Sequence, residues 1–189
     1  MSERGLYHEL LIAGFGGQGV VLAGKLLATA ALSENLDVVW APSYGPEMRG
    51  GAVHCTVIVS SGRIGSPEVS QADSMLIMDA ASLERCRNRI RPGGLLVSNA
   101  SLVPSPPDRD SYEFLELRAT EAAEELGNPR VANVIMLGAF LAARPVVSNE
   151  SIVEAMRMSA GEAFEHLLRV NTQALARGAE LAQAAPICP

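Results

Sequence analysis

A strand that runs directly into a glycine-rich turn and then into a helix constrains this chain more than any other feature. His8 to Ala13 (HELLIA) is a short apolar run of the length of a buried strand. It ends in Gly14-Phe15-Gly16-Gly17-Gln18-Gly19, a G-x-G-x-x-G pattern, and Gly17 to Leu32 follows as a helix rich in Ala, Leu and Val. Glycines at these spacings let the backbone turn tightly and lie close to a ligand or a neighbouring strand. The free N–H groups at such a helix start attract an anion. Asn35, just past the helix, suits the left-handed C-terminal position.

Further strands and helices alternate along the chain. Asp37 to Ala41 reads as a second buried strand and Pro42 to Gly51 as a loop, because proline and glycine break both periods. Val53 to Val59 is a β-branched strand, Ser60 to Gly62 a turn, and Arg63 to Ser66 a short hairpin partner stopped by Pro67. Ser74 to Met78 is a strand, Asp79 caps a helix over Ala80 to Ile90, and Arg91 to Gly94 turns into a strand over Leu95 to Ser98. Three prolines make Val103 to Asp110 a surface loop, followed by a strand over Tyr112 to Leu117. Thr120 is expected to cap a helix through Leu126, with Glu121 and Glu124 near its positive end. From Val131 the pattern is helical: Val131 to Ala143, a helix capped by Asn149 through Met158, and Gly161 to Ala185. Strands alternating with helices predict an α/β fold, a single three-layer Rossmann-like domain. Its sheet is mostly parallel, with helices on both faces and a helical C-terminal part. The domain is expected over residues 1–185, with 186–189 a flexible tail.

Composition removes several classes of function. The 189 residues carry a net charge of −6, with Lys25 the one lysine, so no basic stripe marks a nucleic-acid partner. Hydrophobic content of 48% fills one core, yet no run of about 18 apolar residues predicts a membrane span. Met1 to Gly5 lacks the features of a signal peptide, so a cytoplasmic location is expected. Cys55, Cys86 and Cys188, like His8, His54 and His166, are too scattered for an iron–sulfur or structural zinc site. No intrinsic metal ligands and no catalytic group are assigned to this chain. Cys55 and His54 read as core residues of a strand.

The glycine turn alone leaves several readings open. A dinucleotide site wants a carboxylate at the end of the second strand, and Val38-Val39-Trp40-Ala41-Pro42 offers none. No Gly-Lys-Ser or Gly-Lys-Thr follows, so it is not a P-loop. A stand-alone NAD-type oxidoreductase domain, a ligand-free structural turn, and a non-catalytic interaction module all remain. A second loop, Ser43-Tyr44-Gly45-Pro46-Glu47-Met48-Arg49-Gly50-Gly51, is expected beside the first at the carboxyl edge of the sheet. Arg49 can grip phosphate or carboxylate with a planar fork, or simply form a solvated pair with Glu47. Candidate cofactor-binding residues are therefore Gly14, Gly16, Gly17, Gln18, Gly19, Tyr44, Gly45, Glu47, Arg49, Gly50 and Gly51.

The segments GFGGQGVVLAGKLLATAA, SYGPEMRGGAVHCTVIVS and SPEVSQAD resemble the gamma subunits of 2-oxoacid:ferredoxin oxidoreductases. The likeness continues through Pro92-Gly93-Gly94, Leu126-Gly127, Ala132-Asn133, Leu137-Gly138-Ala139, Asn171 and Gly178, covering nearly the whole chain. Ser33-Glu34-Asn35-Leu36 departs from the glycine often found there in the family, and Asn35 can fill that role. The resemblance implies a hetero-oligomer that decarboxylates a 2-oxoacid on thiamine diphosphate, reduces ferredoxin through an iron–sulfur cluster, and passes the acyl group to coenzyme A. It places thiamine diphosphate, magnesium and the cluster in alpha and beta partner subunits. The Y-G-P-E-M-R-G-G form is more similar to the 2-oxoglutarate and branched-chain types than to the indolepyruvate type.

Overall fold

The computed structural model describes residues 5–45, 51–104, 111–160, 165–185 and 187. The elements run β1 (Tyr7–Phe15), α1 (Val20–Ser33), β2 (Asp37–Tyr44), β3 (Ala52–Ser60), β4 (Ala72–Ile77), α2 (Ala80–Cys86) and β5 (Ile90–Asn99). There follow β6 (Glu113–Leu117), α3 (Ala119–Glu125), α4 (Ala132–Ala143), α5 (Asn149–Ala160) and α6 (Glu165–Ala184). The strands form one sheet in the order β2-β3-β1-β4-β5-β6. β1, β4, β5 and β6 pair in parallel, while β3 runs antiparallel to both β1 and β2. The mostly parallel α/β architecture is thus as the alternation predicts.

The two faces carry unequal cover. Leu10, Ile12, Cys55, Val57, Leu76, Val97 and Leu115 point into a large core shared with α1 and α3 to α6. Leu11, Ala13, Met75, Ile77 and Leu96 point the other way, toward Leu83 and Cys86 of α2 and toward Tyr112 and Phe114. Along β1, β4, β5 and β6 successive residues alternate between the two cores, the period-2 signature of a pleated strand. On the thick side, α4 and α6 cross through glycines. A Cβ on Gly178 would fall on the Ile135 carbonyl and lie 2.9 Å from Ala139 N. A Cβ on Gly138 would fall on the Leu175 carbonyl. Backbone rather than side chain fills the crossing, which is why two glycines occupy it. His8 lies on the same side, its ring 5.6 Å from that of Phe140 and its Nε2 3.1 Å from Ser74 Oγ. Burial, ahead of its charged neighbours, pushes its pKa down.

Several local expectations are corrected by register and packing. β2 continues through Pro42 to Tyr44 instead of ending at Ala41. It is an edge strand, where a residue without an N–H is tolerated. Arg63 to Ser66 forms no strand. Arg91 to Gly94 is not a free turn. It lies inside β5, where Ala72 pairs with Ile90 and Ser74 with Leu95, so these four residues bulge opposite Asp73. Gly93 takes φ 73° there, and a Cβ on Gly94 would sit 2.8 Å from the Asp73 carbonyl oxygen. α2 stops at Cys86, and Arg87–Arg89 form a tighter 3-10 turn. Thr120 does not cap α3. It lies within the first turn and is held by Asn99, whose Nδ2 donates to Thr120 Oγ1 at 2.9 Å. Ser148 rather than Asn149 serves α5, its Oγ accepting the Ser151 N–H at 3.2 Å. Asn35 does take the left-handed conformation, with φ 60°, and Asp79 does cap α2, accepting from Ser82 N at 3.0 Å. Among the described residues, no helix is long and apolar enough to cross a membrane.

Candidate functional site

The glycine turn is held from three directions. Gln18 N–H closes it on the Phe15 carbonyl at 3.2 Å. The Gln18 side chain folds back over the turn: its Oε1 accepts from Phe15 N at 2.9 Å and its Nε2 donates to the Met78 carbonyl at 3.3 Å. Gln18 therefore ties the end of β1 to the end of β4. A Cβ on Gly14 would lie 2.5 Å from that Oε1 and 2.8 Å from Val20 Cγ2, so the fold-back requires glycine there. Gly19 is the residue before α1, in the left-handed conformation at φ 77°, ψ 21°. A Cβ at Gly19 would strike the side-chain amide of Asn133, which itself donates from Nδ2 to the Gly19 carbonyl at 3.1 Å. Asn133 is buried in α4. The first turn of α1 is thereby fixed to the helical layer behind it. Gly17, at φ 105°, is exposed and has open space where a Cβ would stand. α1 begins at Val20 rather than Gly17, so Gly16 to Gly19 are a loop at the helix start and not its first turn.

The hairpin from β2 to β3 reaches the same place by a route the spacing did not predict. β1 and β2 are not neighbours, because β3 lies between them. Phe15 pairs with Ala52, and Gly16 N–H donates to the Gly51 carbonyl at 3.0 Å. Gly45 N–H donates to the Ala52 carbonyl at 2.7 Å, closing the base of the hairpin. Gly14, Gly16, Gly17, Gln18, Gly19, Tyr44, Gly45 and Gly51 are thus brought together at the carboxyl edge, with Phe15 and Tyr44 strongly exposed beside them. Glu47, Arg49 and Gly50 lie outside the described residues.

Cys55 is wholly buried, as a small core residue of its strand. The Trp40 side chain hydrogen-bonds it, and burial pushes its thiol up to about 11 despite that bond. A Cβ on Gly24 would lie 2.5 Å from Cys55 Sγ, so α1 rests directly on this strand. A raised pKa in an apolar pocket describes an inert thiol. Cys86 is buried in the core on the other face, and Cys188 lies outside the described residues. Among the described residues, no group of three or more His, Cys, Asp or Glu could hold a metal ion. These residues therefore do not fit an iron–sulfur cluster or the magnesium of thiamine diphosphate.

Sequence reasoning missed two features of this edge. Asn133 bears on the turn from 114 positions away, and only its place in the Ala132-Asn133 pair hinted at a role. On the α2 face, a pocket of about 270 Å³ opens between the hairpin and α2, lined by Ser43, Tyr44, His54, Ser82, Arg85 and Arg89 among others. His54, expected in the core, is only half-buried and faces this pocket.

The comparisons with known proteins fit this construction. A family model described as pyruvate ferredoxin/flavodoxin oxidoreductase matches residues 9–181. The chain belongs to that family. It is 34% identical over 178 residues to the 2-oxoglutarate synthase subunit KorC of Methanocaldococcus jannaschii, covering 93% of this chain and 94% of that protein. It is 36% identical over 174 residues to the ketoisovalerate oxidoreductase subunit VorA of Methanothermobacter thermautotrophicus, covering 91% of this chain but only 36% of that one. The chain thus spans about a third of VorA and nearly all of KorC. Its fold superposes with a TM-score of 0.81 on the gamma subunit of a keto/oxoacid ferredoxin oxidoreductase from Geobacter sulfurreducens PCA, at 33% identity over 94% of this chain and 99% of that one. Within the family it is therefore a chain of the gamma type.

Proposed function

We propose that this chain completes a thiamine-diphosphate-dependent 2-oxoacid:ferredoxin oxidoreductase that converts a 2-oxoacid, 2-oxoglutarate in the first instance, to its acyl-coenzyme A. Thiamine diphosphate, magnesium and the iron–sulfur cluster reside in alpha and beta partner subunits, and electrons leave for ferredoxin through the complex in the cytoplasm. This chain itself contributes a binding surface and no redox group. The observation that supports the reading is the Gly16–Gly51 hydrogen bond, which ties the glycine turn to the start of β3. The near-full-length match to KorC supports the choice of 2-oxoglutarate. Gly14, Gly16, Gly17, Gln18 and Gly19 shape an amide-lined turn beside Tyr44, Gly45 and Gly51, and Glu47, Arg49 and Gly50 are the further residues proposed to contact the ligand. Amide groups at a helix start and a guanidinium fork are the groups that hold the phosphates of coenzyme A or of thiamine diphosphate.

The test is purification of the tagged chain from native cells, followed by kinetics of an Arg49→Ala complex. Two larger subunits carrying thiamine diphosphate and iron are expected to co-purify, and 2-oxoglutarate is expected to be the best substrate. Arg49→Ala should assemble normally and raise the apparent KM for coenzyme A, or lower kcat, by roughly ten- to hundred-fold, the effect of losing a charged contact of about 1.5–3 kcal/mol. Recovery of the chain alone as an active enzyme defeats the subunit reading. Failure of the variant to assemble reassigns Arg49 to the subunit interface.

A further inference from the structure

The pocket between the hairpin and α2 has the chemistry of an anion site. None of the described residues that line it is a carboxylate, in a chain of net charge −6. Its two guanidiniums rest on neutral groups. Arg85 Nη2 lies 3.0 Å from Ser82 Oγ, and that hydroxyl donates in turn to Asp79 Oδ2 at 2.9 Å. Arg89 Nη2 donates to the Val69 carbonyl at 3.2 Å. Among the described residues neither forms an ion pair, whereas Arg91, close by in sequence, is paired with both Asp73 and Glu9. A partnered guanidinium is neutralised in place. An unpartnered pair four residues apart, with one nitrogen of each already fixed, is a preset positive field with free N–H groups left over.

His54 completes the lining. It pairs in register with Ala13 on one side and Ser43 on the other, so it stands at the mouth of the hairpin. Burial first, then the charges of Arg89 and Arg85, hold its pKa below the ordinary value of 6.5. The neutral form is thereby favoured, and it offers a hydrogen bond without adding charge. Ser43 pairs with His54 in register, so its side chain shares that face of the sheet and lines the same pocket. Two cationic forks, an imidazole and the Ser43 hydroxyl exceed what a planar carboxylate with two oxygens can use. They suit a phosphoryl group, which carries close to two negative charges on three oxygens.

We propose that the pocket lined by Arg85, Arg89, His54 and Ser43 binds the phosphoryl group of a small phosphorylated ligand. The site lies on the α2 face and uses none of the residues of the glycine turn. It stands independently of the subunit assignment, because it is read on the full chain by itself.

The ring protons of His54 report on it directly. In the full chain, proton NMR titration is run without ligand, with inorganic pyrophosphate, and with adenosine 3′,5′-bisphosphate. A bound dianion offsets the two guanidiniums, so the His54 midpoint is expected to rise by about half a unit or more, by the effect of a nearby opposite charge. Exposed His166 should not move with it. Arg85→Gln/Arg89→Gln should abolish the ligand-induced rise at unchanged melting temperature. If that double variant unfolds, the wild-type titration alone decides. A lower half-saturating concentration for the nucleotide assigns the phosphate to a nucleotide-borne ligand. A preference for pyrophosphate assigns it to a diphosphate tail. No rise with either ligand, or an equal rise at His166, overturns the proposal. So does a double variant that fails to join larger subunits while the wild-type His54 ignores both ligands, since the guanidiniums then hold partner carboxylates.

Discussion

The two faces of the sheet are built to different standards of closure. On the thick side, α4 and α6 meet backbone to backbone at Gly138 and Gly178, and the large fully buried residues Leu10, Ile12, Leu27, Leu76 and Phe140 fill the space between helices and strands. On the thin side a seven-residue helix and a 3-10 turn leave a pocket of about 270 Å³ and two arginines that, among the described residues, have no carboxylate partner. Close packing leaves nothing adjustable, because a side chain in a dense core is felt to the last methylene. A surface meant to meet another molecule keeps its charges uncompensated and its backbone groups accessible. The difference points away from the α4–α6 crossing and toward the carboxyl edge, where the two faces meet.

The comparison breaks most visibly at the helix crossing. Gly178→Ala would place its methyl on the Ile135 carbonyl and against the Ala139 amide, both backbone groups that cannot rotate away. Overpacking of this kind costs about 3–4 kcal/mol, and the better helix propensity of alanine returns about 1. A net loss of about 2–3 kcal/mol, or roughly 5–10 °C in Tm, is expected in a thermal melt. Wild-type stability in this variant would mean that α4 and α6 are free to separate, and that the thick side is not the rigid one.

At the edge between the faces, two glycines separate backbone strain from contact. Both Gly17 and Gly19 have positive φ, at 105° and 77°. Alanine at Gly17 meets open space, so only the left-handed strain of about 1–2 kcal/mol applies. Alanine at Gly19 adds a collision with Asn133, and about 2–3 kcal/mol in all is expected. Chemical denaturation ranks the two. Gly17→Ala is the more informative in the assembled complex: if the turn faces a ligand, its methyl points into the bound space and lowers activity beyond the small stability loss. A variant as active as wild type would place the ligand elsewhere.

How much of this edge was legible follows from what kind of contact each residue makes. The turn, the cap at Asp79 and the left-handed Asn35 depend on neighbours in sequence, and residue types at short spacing suffice to place them. The position of β3 between β1 and β2 does not follow from spacing. A run such as VHCTVIV looks the same whether it is reached by a crossover or by a hairpin. Only the pairing of Ala13 with His54 and of Ser43 with His54 settles it. The β5 bulge hid for the same reason: Arg91-Pro92-Gly93-Gly94 has turn composition, and the partner strand decides that the turn is a bulge. Asn133, Arg85 and Arg89 were invisible because their partners are distant or neutral. An arginine that leans on a carbonyl and a hydroxyl has no sequence partner to be found by. The glycine turn and the start of β3 meet through the Gly16–Gly51 bond, not through adjacency of β1 and β2.

The smallest effects test the thin side alone, through a matched pair of arginines. Arg91 donates to Asp73 at 2.6 Å and to Glu9 at 3.2 Å, and Asp73 also accepts the Glu9 backbone N–H at 2.7 Å. Its side chain is 43% exposed, so solvent screening reduces the value of the network. Arg91→Ala should cost about 1 kcal/mol, part of it from two carboxylates left facing one another, and the loss should shrink in high salt. Arg85→Ala removes a charge that repels Arg89 and, among the described residues, has no carboxylate to lose. Its stability should stay within about 0.5 kcal/mol of wild type, and any change should favour the fold. Denaturant midpoints at low and high ionic strength separate the two. If Arg85→Ala is as damaging as Arg91→Ala, the guanidinium has a structural partner and the thin side is as closed as the thick one. If it is neutral while Arg91→Ala is not, the fold has neutralised the arginine it needs for itself and left the other available.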